Sequence, residues 1–369
     1  MKRINSIDVM RGLFIFLMVL YHLLDWWLID PDRWIIVILF SFLGSFAFSG
    51  FLFVSGFSAA IAYKSRAKKV ESSPDISMTH ARNIYLLRAL LLYVIGLGYN
   101  IAIAIARFDI KWVWSWFILQ TIPISLLLAW PLFRIKKYLR IALGIGLLVA
   151  NELLSPFAHF YLLSYTGPPN FFSVFFYIFY HPVEAYTIFS YFAMFIFGTV
   201  IGDFFFDINI IESPEERKNS IKRVFLKTIL IAGIISTAFG MVYRFHEFLY
   251  RLTISAMFYS IGTVLLVLAF LLYLEEFKQI RTKKSYRFFF FFSYYSFTIY
   301  LGHDPLLFLF YKQLTVQIFW FIFIGVIVLL VILLRFLHKK VGPYASLKAV
   351  LGIIGLTILN KIEQRKNRK

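Results

Sequence analysis

The chain has 369 residues, 60% hydrophobic and 20% aromatic, with only 15% charged and a formal net charge of +19. At a mean hydropathy of +0.77, repeated apolar runs of about 20 residues exclude a soluble globular domain and point to membrane spans, and their continuous rather than alternating character excludes a β-barrel. The absence of cysteine excludes disulfides, thiolate metal sites and a cysteine acyl intermediate.

The opening run, SIDVMRGLFIFLMVLYHLLDWW from Ser6 to Trp27, is an apolar helix that nevertheless carries Asp8, Arg11, His22 and Asp25. Met1-Lys2-Arg3 is basic, but the run behind it is long and lacks a small-residue cleavage site. It therefore reads as a first span rather than a signal peptide. Further spans are predicted at Trp34 to Tyr63, Asn83 to Ala106, Trp112 to Phe133, Leu139 to Leu163, Thr187 to Phe206, Val224 to Tyr243, Leu252 to Leu274, Phe288 to Tyr311 and Val316 to Leu337. The fold class is thus all-α, a polytopic membrane protein of about ten helices. Val341 to Ile362 is apolar but short and flanked by lysine, so it is expected to lie in the interface. Residues 1–340 form a transmembrane domain on this reading, and 341–369 an interfacial helix with a basic tail.

Lysine and arginine alternate from one connection to the next. Lys64 to Lys69 with Arg82, Arg134 to Arg140, Arg217 to Arg223 and Lys278 to Arg287 are the basic loops, while Ser164 to Tyr186 has no lysine or arginine. The positive-inside pattern places both termini in the cytoplasm of a cell-membrane protein. It also assigns the basicity to topology and anionic lipid rather than to nucleic acid. Trp26, Trp27, Trp34, Trp112, Trp114 and Trp116 all fall at outer boundaries, as an aromatic belt requires.

Ionisable groups within spans are costly and usually functional. Arg11 and His22 are eleven residues apart, about three helical turns, so they share a face with a rise of about 16 Å between them. Asp8 and Asp25 fall near the same arc. His22 lies near mid-bilayer and is a candidate catalytic base, with Asp25 one turn away to orient it. The alternative is a histidine bonded to a neighbouring helix beside an interfacial carboxylate. Asp8 and Arg11 form a polar corner where the guanidinium could grip phosphate, or simply set orientation. In IYLGHDPLLF, His303 and Asp304 reach a depth similar to His22, and Gly302 and Pro305 are expected to open the helix there. Arg88 reaches a buried anion or snorkels inward. His181 and Glu184, in the long outer loop, could shape an acceptor site. No nucleotide-binding, serine-hydrolase or zinc motif is present, and no metal is expected.

The string SIDVMRG followed by an apolar run into His22 resembles the first helix of the heparan-alpha-glucosaminide N-acetyltransferase family and its prokaryotic relatives. Arg11, ten residues, then His22 also resembles the arginine–histidine signature of the acyltransferase-3 membrane family. FLFVSGFSAAIAYKSR, FIFGTVIGD, FTIYLGHDPLL and VGPYASLK extend the likeness in order along the chain. The resemblance implies a ten- or eleven-helix enzyme moving an acyl group, expected to be acetyl, from cytoplasmic acyl-CoA to a hydroxyl or amine acceptor such as a glycan at the far face. The lysosomal enzymes place their histidine in the loop after the first helix and carry asparagine at the position of His22. Here that loop is DWWLIDPDRW, without histidine. The lysosomal catalytic residue is therefore not carried over, and His22 fits the acyltransferase-3 arrangement. The pantetheine arm, on the order of 15 Å, matches the rise from Arg11 to His22. Asp8, Arg11 and Arg88 would hold the donor, and His22, Asp25, His303 and Asp304 would serve catalysis. A proton-coupled transporter is the alternative, since buried His and Asp also suit a proton relay. It would need paired discontinuous helices, of which the sequence offers one.

Overall fold

The computed structural model describes residues 4–366 apart from 73–76, 115, 165–169, 180–187, 246, 250–252 and 278–286. The helices are α1 (Asn5–Trp27), α2 (Trp34–Ser72), α3 (Met78–Arg107), α4 (Ile118–Leu132), α5 (Lys137–Ser164), α6 (Phe171–Phe179), α7 (Ile188–Asn209), α8 (Pro214–Val242), α9 (Ile254–Glu276), α10 (Arg287–Tyr294), α11 (Ser296–Gly302), α12 (Val316–Lys340) and α13 (Leu347–Lys366). Among the described residues there is no strand, only a single bridge between Leu28 and Leu314. The protein is an all-α, polytopic membrane protein.

Eight described helices are long and apolar enough to cross a bilayer. Two of the ten expected spans take another form. The region after Trp112 becomes a 3-10 turn, Ile110–Trp114, followed by α4 of only 15 residues. The ninth is broken twice. The first break is a kink at Tyr295, whose hydroxyl meets His338 Nδ1 of α12 at 3.0 Å. The second follows Gly302, where the chain tightens into the 3-10 turn Asp304–Phe308. Pro305 has no N–H to continue the ladder there.

α1 lies near the centre, and among the eight spans only α7 is more buried; α12 is the least. Its first turn is capped by Glu275 of α9, which accepts from the backbone N–H of Asn5 at 2.9 Å and of Ser6 at 2.8 Å. A carboxylate on free N–H groups at the positive end of the helix dipole is favourable. Gly12 packs against the backbone of Phe289, where a Cβ would collide with its carbonyl oxygen. α1 and α10 therefore touch almost backbone to backbone, as small residues allow in membranes.

α2 and α7 cross in the same way. A Cβ on Gly56, Gly198 or Gly202 would strike the carbonyl of Phe195, Phe53 or Phe57. Arg140 of α5, 1% exposed, pairs with Asp203 of α7, while Lys64 of α2 lies 3.1 Å from Asp203 and 3.3 Å from Asp207. These pairs leave few loose charges at that end of the α2–α5–α7 layer. The opposite, tryptophan-bearing end is tied by Asp32, which accepts from Val316 N–H at 2.8 Å, and by backbone bonds from Lys312, Gln313 and Leu314 to Trp26 and Trp27. The gap left between α1, α2, α3, α4, α10–α11 and α13 is the cavity described next.

Candidate active site

The cavity has a volume of about 580 Å³. α1 contributes Asp8, Arg11 and Ile15; α2 contributes Phe51, Ser55, Ser58, Ala59, Ala62 and Arg66. Both sets repeat at intervals of three or four residues, so each helix presents one face along its length. α3 adds Tyr85 and Arg88, α10–α11 adds Ser293 and Tyr300, and α13 adds Lys348 and Gly352.

At the basic end Arg66 and Arg88 both line the cavity. Neither has a carboxylate partner among the described residues. Arg88 Nη2 donates to the Gly352 carbonyl at 3.4 Å, and its Nε is buried without a partner. Paired cations with open donors and no acid are suited to an anion bearing several oxygens.

Half-way along, Arg11 is already engaged. Its Nη2 donates to Ser58 Oγ at 2.8 Å, and its Nη1 faces Asp8 Oδ1 at 3.5 Å and Ser293 Oγ at 3.4 Å. Ser293 Oγ in turn donates to Asp8 at 3.1 Å. This knot joins α1, α2 and α10 and gives the wall a fixed polar ring.

Beyond it the cavity narrows. A small pocket of about 20 Å³, lined by Phe14, Met18, Ala47 and Phe48, shares Ile15, Phe51, Ile118 and Tyr300 with the main one. Met18 is one helical turn from His22. The lined face of α1 thus runs Asp8, Arg11, Ile15, Met18 and points on to His22.

His22, Trp26 and His303 form a compact aromatic cluster. The His22 ring lies 5.0 Å from His303 and 5.1 Å from Trp26, and Trp26 stacks on His303 at 5.6 Å. His303 is 4% exposed. Its Nδ1 meets the Tyr300 carbonyl at 2.6 Å. A carbonyl cannot donate, so Nδ1 carries the proton and Nε2 of the neutral ring is the bare lone pair. That Nε2 has no hydrogen-bond partner and lies 3.6 Å from Asp304 Oδ1. Tyr99 of α3 donates its hydroxyl to Asp304 Oδ2 at 2.8 Å. The broken helix supplies this geometry: the 3-10 turn places Asp304 beside the imidazole, and Trp27 Nε1 donates to Leu306 O at 2.7 Å to hold the turn.

The structure therefore brings His22, His303 and Asp304 together, and places Asp8, Arg11 and Arg88 along one cavity. Asp25 pairs with Arg33 in the following loop. His181 and Glu184 lie outside the described residues. Sequence reasoning missed Arg66, Lys348 and Tyr99. Arg66 was absorbed into a basic loop, although its helical spacing from Ser58 and Ser55 was a readable signal. Among the described residues no group of three histidines, aspartates or glutamates forms a metal site.

A family profile described as an acyltransferase domain, acyltransferase 3, matches residues 4–337. The chain belongs to the acyltransferase-3 family. Neither the curated proteins nor the solved structures hold a match. As an acyltransferase-3 protein with multiple apolar helices it is a multi-pass membrane acyltransferase. α13 lies beyond the matched residues, a point taken up below.

Proposed function

We propose that this acyltransferase takes its acyl group from acyl-CoA on the cytoplasmic side and passes it to a hydroxyl or amine acceptor, such as a glycan, at the outer face of the cell membrane. The basic loops put the Arg66–Arg88 end of the cavity in the cytoplasm, with both termini. The observation that carries the reading is a cavity whose basic end holds two guanidiniums without a carboxylate partner among the described residues, and a face of α1 that runs from its wall past a narrow pocket toward His22 and His303, which lie outside its lining. Arg66 and Arg88 take the phosphates of the donor. The acyl-pantetheine arm runs from there along Arg11, Ser55 and Ile15, with the thioester directed toward Met18 and Tyr300. Acetyl fits the narrow pocket there best, because a small acyl group displaces the fewest side chains.

In the reaction the acceptor oxygen or nitrogen attacks the thioester carbonyl, and His22 takes the proton that leaves the attacking atom. The tetrahedral intermediate collapses with cleavage of the C–S bond, and CoA departs as thiolate. No proton needs to be supplied to that leaving group. His303 holds a bare nitrogen in the same cluster, and Asp304, steadied by Tyr99, stabilises its charged form. Asp25 is ion-paired with Arg33, and His181 with Glu184 are acceptor-side candidates.

The test is His22→Ala in purified protein supplied with acetyl-CoA and an acceptor. A general base contributes on the order of 10²–10⁴-fold, so transfer should fall by that factor while CoA binding is retained. Undiminished transfer would falsify the assignment. A proton-coupled transporter would instead show substrate flux without CoA-dependent thermal stabilisation.

A further inference from the structure

We infer that the C-terminal helix α13, beyond the acyltransferase-3 domain, is a wall of the donor pocket and sets the affinity for the donor. The inference rests on the acyl-CoA reading above. It begins from position: the family match ends at residue 337, yet Ser346, Lys348, Leu351, Gly352 and Leu356 all line the cavity.

The sequence of α13 is fitted to that place. Gly342, at φ +62, turns the chain back after α12, a backbone conformation that L side chains rarely adopt. The start of α13 is then pinned to the broken helix. Ser346 Oγ donates to the Tyr294 carbonyl at 3.0 Å, and Thr298 Oγ1 accepts from Leu347 N–H at 3.1 Å. Farther along, Gly352 and Gly355 lie directly on the Arg88 side chain. A Cβ on Gly352 would stand 3.0 Å from Arg88 Nη2, and one on Gly355 would stand 3.4 Å from its Cγ. At the far end Glu363 meets His80 Nδ1 of α3 at 2.9 Å. α13 therefore bridges α10–α11 to α3, and without it the cavity is a groove open along one side.

Two properties follow for a bound donor. Leu351 and Leu356 are apolar surface on the pocket side that only α13 supplies, and Lys348 is a cation supplied by the same segment. In addition, the hydrogen bond from Arg88 to the Gly352 carbonyl holds one amino group against α13, with Nε buried and without a partner. The C-terminal helix thus fixes the guanidinium that receives phosphate.

The experiment measures binding of CoA and of S-acetylpantetheine, which lacks the phosphates and the nucleotide, to the full-length protein in nanodiscs. Two variants are compared with it: a chain stopped after Lys340, and Gly352→Leu in the intact chain, which wedges α13 off Arg88. Both should bind CoA at least tenfold more weakly. The loss for S-acetylpantetheine in Gly352→Leu should be clearly smaller, because it has no phosphate for Arg88 to hold. If the shortened chain does not fold, Gly352→Leu decides alone, with its melting temperature as the check on folding. Unchanged CoA affinity in a folded variant overturns the role of α13 and leaves the donor assignment standing. Failure of the unaltered protein to bind CoA overturns the donor assignment itself, and this inference with it.

Discussion

At the basic end of the cavity, Arg66 and Arg88 line the wall with no carboxylate partner among the described residues. Toward the tryptophan-bearing end of α1, outside the cavity lining, His22, His303 and Trp26 are packed ring against ring, and Asp304 is held by Tyr99. The first arrangement leaves charge and space for something to be brought in. The second fixes directions: which nitrogen of His303 bears a proton is set by one main-chain carbonyl. Binding a large, flexible anion calls for long cations that can adjust, whereas proton transfer calls for groups whose geometry is over-determined. Half-way along the cavity the knot of Asp8, Arg11, Ser58 and Ser293 ties three helices together.

That contrast can be broken from either side. The largest effect is expected at the tryptophan end, where His22→Ala should cut turnover by roughly 10²–10⁴-fold with donor affinity kept. The double change Arg66→Ala with Arg88→Ala should do the opposite. Losing two charged hydrogen-bonding partners, at about 1.5–3 kcal/mol each, should raise the dissociation constant for CoA by about a hundredfold or more, and kcat measured at saturation should hold. If the single and the double change each alter kcat and affinity together, the division of labour is wrong. Met18→Trp fills the narrow pocket and tests the passage between the ends: kcat should fall by about tenfold or more, since misplacing a reacting group by an ångström is costly, while CoA still binds.

Tyr99→Phe sharpens the comparison more gently. It removes one hydrogen bond to Asp304, worth about 1 kcal/mol, so kcat should drop by several-fold without a change in CoA affinity. Its pH–rate profile should also shift, which a merely structural tyrosine would not cause. The smallest effect belongs to the clip outside the membrane. The hydrogen bond from Lys312, at 3.0 Å, holds the exposed Asp30 carboxyl below its usual range. A carboxylate depressed in the folded state adds stability above its ordinary pKa and loses it as pH falls through the depressed value. Asp30→Asn should therefore lower Tm slightly at neutral pH and leave it unchanged in strong acid.

Much of this was legible in one dimension. The spacing of Arg11 and His22 put them on one face of α1, and the cavity-lining residues Asp8, Arg11 and Ile15 lie on that face. Gly302 and Pro305 announced the break that turns Asp304 toward His303, because a missing N–H is written in the sequence. The kink at Tyr295 was not announced. The Tyr295 hydroxyl meets His338, more than forty residues away, and no local signal carries such a contact. Arg66 was hidden for a similar reason. Seen in sequence it is one of several cations in a basic loop, and only the continuation of α2 to Ser72 places it over the cavity.

Hydropathy and charge alone determined that this chain crosses a membrane many times and which ends of its helices are basic, because transfer into lipid and the orientation rule act on each segment separately. They also singled out α1, since ionisable side chains in an apolar run are costly wherever they finally sit. Tertiary structure alone decided which of those groups meet. The pairing of His22 with His303, the engagement of Arg11 by Asp8 and two serines, and the return of α13 over Arg88 are contacts between distant segments. Such contacts follow from how helices pack face to face, and packing is a property of the assembled surfaces rather than of any one stretch of chain.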